Sequence, residues 1–116
     1  MWVTIYNTSF VNLVLESLGD ACKRQILNSV LTESQTIPDI IEIHKLPQTT
    51  AYRKVNELIQ SRLLVSQRSI QRRNSDKTNV KCIFDGVRIE FEKNKTVVKA
   101  LIKKEFLKNY KLIEKF

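Results

Sequence analysis

The stretch Leu46-Pro-Gln-Thr-Thr-Ala-Tyr-Arg-Lys-Val-Asn-Glu-Leu-Ile-Gln-Ser61 constrains this chain more than any other. At about 100° per residue, Ala51, Val55, Leu58 and Ile59 gather on one side of a helix. Thr49, Thr50, Arg53, Asn56, Glu57 and Gln60 gather on the other, with Arg53 near the middle. Pro47 suits the first turn of a helix, and Gln48 to Thr50 then crowd its positively polarised N-terminus. A helix that offers amides, hydroxyls and an arginine from its first two turns is suited to a polyanion. An ordinary amphipathic surface helix is the plainer reading of the same spacing.

Charge favours the polyanion. Residues 1–44 carry 2 basic and 5 acidic side chains, residues 45–81 carry 9 and 2, and residues 82–116 carry 9 and 5. Most of the net +8 therefore falls on the central segment, as expected of a nucleic-acid face.

The rest of the chain supplies the frame. Residues 1–7 read as a short strand or an arm. Thr8 or Ser9 can cap a helix through Phe10, Val14 and Leu18, and Gly19 ends it. Asp20 caps the next helix, Ala21 to Leu31. Thr32 to Thr36 is a polar connector, and Pro38 opens a third helix ending near His44-Lys45. With the turn Leu46-Pro47, the third and fourth helices make a helix-turn-helix.

Beyond Arg62 the apolar period becomes two. Leu63 to Ile70 is extended, Gln71 to Lys77 is a charged turn, and Val80, Cys82 and Phe84 alternate on one strand face. Asp85-Gly86 reads as a hairpin turn that would set Phe84 opposite Val87, although a bulge gives the same change of phase. Thr96 can cap a last helix to Phe116 with Val98, Leu101, Ile102, Leu112, Ile113 and Phe116 in one stripe, and Lys99 and Lys103 largely outside it. Two apolar faces are thus expected to pair with a second copy. One is that stripe, and the other is Phe10, Val11, Val14 and Leu15 of the first helix. Packing of the stripe on its own domain is the alternative.

The order of elements resembles the winged-helix regulators related to the arsenic repressor (ArsR-type), over roughly residues 10–84. Leu18-Gly-Asp-Ala-Cys-Lys-Arg-Gln-Ile-Leu27 resembles the family's Leu-Gly-Asp-Pro-Thr-Arg followed by Arg-Ile-Leu, with Ala21 and Cys22 replacing Pro and Thr. Leu46 to Val55 resembles the family's entry to the recognition helix. The resemblance implies a homodimer that binds a palindromic operator and usually represses transcription. Arg62 stands where the family usually has Gly. The close cysteine pair of the metal-sensing members is missing, so that role is not carried over.

The chain is therefore expected to be a single α+β, mostly helical domain, a winged helix-turn-helix with flanking N- and C-terminal dimerisation helices. Its parts are an arm and helix at 1–19, the helix-turn-helix core at 20–62, wing and sheet at 63–92, and the terminal helix at 96–116. Expected partners are double-stranded DNA and a second copy, without membrane, metal or cofactor, in the cytoplasm or on a nucleoid. Gln48, Thr49, Thr50, Tyr52, Arg53, Lys54 and Asn56 would meet DNA from the helix. Arg72, Arg73 and Lys77 would meet it from the wing. Arg53 can equally be a phosphate contact or a solvated charge, and Tyr52 can be partly buried. His44 reads as a plain helix-end residue, and Cys22 and Cys82 as small core hydrophobes. No catalytic set or phosphate loop is evident, so an enzyme is not expected. The rivals are a winged-helix protein-interaction module in a transcription or chromatin assembly, and a non-specific nucleic-acid coat.

Overall fold

The computed structural model describes residues 1–70 and 76–114, with backbone alone at 68–70, 76, 77 and 113. Strand β1 (Trp2–Thr4) leads into helices α1 (Thr8–Gly19) and α2 (Ala21–Ser29). A two-residue strand β2 (Gln35–Thr36), formed by the polar connector, precedes α3 (Ile37–His44) and α4 (Gln48–Gln60). Strands β3 (Leu64–Ile70), β4 (Asp76–Cys82), β5 (Phe84–Glu92) and β6 (Lys95–Ile102) follow, then a 3-10 turn (Lys104–Phe106) and α5 (Leu107–Glu114).

Local chemistry sets the helix ends. Asp20 caps α2, its carboxylate accepting from the Lys23 N–H at 3.0 Å, and Thr36 caps α3 by accepting from the Asp39 N–H. Asn7, rather than Thr8 or Ser9, caps α1, and its side chain accepts from the Phe10 N–H at 3.0 Å. The chain is still extended at Asn7, arriving from β1. Helix α2 stops at Ser29, short of Leu31, and the Val30 carbonyl instead accepts from the Cys82 N–H.

Two antiparallel sheets replace the one expected, ordered β2-β4-β3 and β1-β6-β5. The first is the wing. It begins at Arg62, which takes the left-handed conformation (φ 69°) that ordinarily favours glycine. Its tip, with Arg72 and Arg73, lies outside the described residues.

The second sheet overturns three expectations. Asp85-Gly86 is no hairpin turn, because β5 runs through it with a bulge between Phe84 and Gly86, and Phe84 pairs with Ile102 and Val87 with Ala100. Trp2 packs over Gly86, so close that a Cβ there would meet its ring at 3.2 Å. The reversal comes later, at Lys93-Asn94, where both residues have positive φ (49° and 64°), as a two-residue type I′ turn needs. Finally, no helix starts at Thr96. The β-branched run Thr96-Val97-Val98 enters β6, and Val98, Ala100 and Ile102 alternate into the core. The spacing Val98, Leu101, Ile102 fits a helix equally well, and long-range pairing decided between them.

The expected dimer faces are correspondingly reduced. Phe10, Val14, Val98 and Ile102 are buried within this one chain. Val11, Leu15 and Leu101 are half-buried and Leu112 is exposed. Phe116 and the Ile113 side chain lie outside the described residues. Helix α5 packs back on its own chain. Its buried Tyr110 donates to the Thr4 carbonyl at 3.1 Å, and burial pushes that phenol up to about 12. The Glu114 carboxylate accepts from the Tyr6 N–H at 3.2 Å.

Lys103, expected on a solvated helix face, is instead a buried fastener between the two sheets. Its ammonium donates to the carbonyls of Leu31 (2.7 Å), Cys82 (2.8 Å) and Phe84 (2.9 Å) and lies 3.2 Å from Asp85. A buried cation is tolerated only when its donors are satisfied in this way.

Candidate nucleic-acid interface

Helix α4 buries Ala51, Val55 and Leu58 completely and turns Gln48, Thr49, Arg53, Asn56 and Gln60 outward. The turn before it follows from Lys45, which ends α3 in the left-handed conformation (φ 51°) while the Leu46 N–H donates to the Ile41 carbonyl. Pro47 then starts α4 with its carbonyl accepting from the Ala51 N–H at 2.9 Å. No side chain caps α4, so the first N–H groups of the helix, beside Gln48 and Thr49, remain for an external acceptor.

Two ion pairs of opposite sense fix how α4 is rotated on α2. Lys54 of α4 reaches Asp20 of α2, and Lys23 of α2 reaches Glu57 of α4 at 2.9 Å. The Lys54 ammonium, with the Lys23 N–H beside it, holds the Asp20 carboxyl below its ordinary range, and Asp20 in turn raises Lys54. Lys23 lowers Glu57 in the same manner. Lys54, expected to meet DNA, is therefore paired within the chain. Glu57 also lies 3.9 Å from Arg53. The Arg53 guanidinium is otherwise exposed and aimed outward with Asn56 and Thr49.

Of the other expected residues, Thr50 is half-buried and Tyr52 is exposed at the edge of the apolar face. Tyr52 and Asn56 line an open cleft of about 540 Å³ between α3, α4 and the wing sheet, with Asp39, Ser66 and Thr78 across from them. Ser66 and Thr78 belong to cross-strand neighbours of the wing, and their strand alternation was the signal that would have found them. Lys77 lies in β4, but its side chain, like Arg72 and Arg73, is outside the described residues. Lys81, at the wing's base, is spent on Glu105 at 2.8 Å.

Burial pushes the Cys82 thiol up to about 11, which keeps it protonated and unreactive. His44 is half-buried with Nε2 shielded and unpartnered. Among the described residues, no group of three His, Cys, Asp or Glu could hold a metal ion. No helix among them is long and apolar enough to cross a membrane.

No family model matches the chain, and no curated protein matches its sequence. Among solved structures, reduced HlyU from Vibrio cholerae is similar at TM-score 0.52 and 15% identity, covering 94% of this chain and 90% of that one. A second structure of HlyU from Vibrio cholerae has TM-score 0.47 and 16% identity over 94% and 92%. At such identities the likeness concerns the fold alone, a winged helix of mixed α+β class.

Proposed function

We propose that the chain is a sequence-specific, double-stranded-DNA-binding transcription regulator that acts as a homodimer and represses. The observation that carries this reading is the outward face of α4. Gln48, Thr49, Arg53 and Asn56 project from a helix start with free N–H groups, and the ion pairs to α2 fix the helix in rotation. Arginine and amides are the side chains that pair with base edges in the major groove, and uncapped helix N–H groups bind phosphate. The homodimer and the repressing role are supported only by the sequence's resemblance to the arsenic-repressor type. The charge of the central segment favours DNA over a protein-interaction role, which an apolar patch on this same face would favour.

Selection of bound duplexes from random DNA tests the reading directly. An enriched motif is expected, with log K falling against log salt by about 0.9 per phosphate neutralised. A slope near zero would sink the DNA reading, and steep salt dependence without an enriched motif would favour a non-specific coat.

A further inference from the structure

Strand β5 is the outer strand of its sheet, with β6 on one side and no described strand on the other. The two-residue turn at Lys93-Asn94 fixes the hydrogen-bond phase. Glu92 pairs with Lys95 across the turn, so Glu92, Glu90 and Arg88 direct their backbone groups to β6. Val87, Ile89 and Phe91 therefore point theirs at the open edge. Their side chains share the face of Ala100 and Val98, their partners on β6. Near the turn that face is uncovered, since Ile89 is 45% and Phe91 76% exposed. On the opposite face Arg88 lies over the Trp2 ring at 4.3 Å and Glu90 lies 3.7 Å from Lys99.

We propose that this edge is where a second copy of the chain docks, β5 against β5, antiparallel about a two-fold axis at Ile89. In that register Ile89 meets its own copy and Val87 meets Phe91, which makes one apolar strip across the axis. On the other face Arg88 meets Glu90 twice. Neighbouring registers lack this match. An axis at Arg88 or at Glu90 sets like charges face to face, and an axis at Phe91 sets Glu90 against Glu92. An axis at Val87 sets Glu90 against Phe84 at the bulge. Like charges directly opposite one another destabilise a strand pair and opposite charges stabilise it, so the sequence of β5 selects one pairing with itself. A charged edge ordinarily repels strands; here the charges cancel in the register that also covers Ile89 and Phe91. The inference rests on the regulator reading only for its need of two copies.

Analytical ultracentrifugation of the full chain tests it. The wild type is expected to be a dimer, and Glu90→Arg should weaken self-association by about tenfold or more. Arg88→Glu should do the same, and the double variant Arg88→Glu/Glu90→Arg should restore it. Phe91→Ser, at a side chain exposed in the single copy, gives an independent loss should Arg88→Glu disturb folding through Trp2, which circular dichroism reports. A monomeric wild type overturns the proposal. So does a dimer indifferent to both Glu90→Arg and Phe91→Ser, or a folded double variant that is not restored. Binding to a half-site duplex, measured alongside, separates the two readings. A monomer that still binds DNA sinks the interface and the homodimer but leaves the DNA-binding reading, and a dimer that binds none sinks only the regulator.

Discussion

The two consecutive antiparallel strand pairs of this molecule, β3–β4 and β5–β6, differ in the charge of their sequences. The wing, residues 64–82, carries 5 basic side chains against 1 acidic. The second hairpin, residues 84–102, carries 4 against 3 and exposes Ile89 and Phe91. The first lies beside α4 and shares a cleft with it, whereas the second pairs with the N-terminal strand. An unbalanced positive hairpin is suited to a polyanion, and a balanced one with exposed apolar groups is suited to protein. Strand pairing is thus neutral as to function, and the side chains on the two faces decide it.

The largest expected effect falls on the joint between the hairpins. Lys103→Met keeps the apolar stem but leaves the carbonyls of Leu31, Cys82 and Phe84 without their donor. A loss of about 3 kcal/mol in urea unfolding is expected. An unchanged midpoint would mean that the two sheets hold together without it.

The next effect sharpens the contrast between the hairpins. Arg72→Glu with Arg73→Glu should weaken half-site DNA binding by about a hundredfold through lost phosphate neutralisation. Glu90→Arg, on the other hairpin, should leave half-site affinity unreduced. Equal losses in fluorescence anisotropy would erase the division of labour.

Arg53→Ala should cost about 1–3 kcal/mol on the preferred site and relax preference at one base pair per half-site. A uniform loss across all operator variants would make Arg53 a phosphate contact instead.

The smallest effect concerns pH. The carboxyls of Asp20 and Glu57 are lowered in the folded chain, so their pairs stabilise it fully above the ordinary carboxyl range, about pH 4. That stability is lost as pH falls through the lowered folded values. Asp20→Asn keeps an oxygen to cap α2 but removes the charge, so the acid limb of a thermal-midpoint curve should flatten slightly. A steeper limb would contradict the assignment.

The sequence by itself determined the front of the molecule. Asp20, Pro38, Pro47 and the 3.6-residue spacing of Ala51, Val55 and Leu58 placed α2, α3 and α4 and showed which side of α4 faces out. Helix hydrogen bonds run four residues along the chain, so the signals for them are local and readable. The back was decided only by tertiary structure. Val98 belongs to a helical set with Leu101 and Ile102 and to a strand set with Ala100 and Ile102. The choice was made by Trp2, which pairs with Leu101 from the far end of the chain, and by a turn of Lys93 and Asn94 without glycine. Lys103 likewise has no local mark of burial, because its three carbonyl partners come together only when both sheets have formed. A strand's partners lie elsewhere in the chain, so its hydrogen bonds are absent from any local window of sequence.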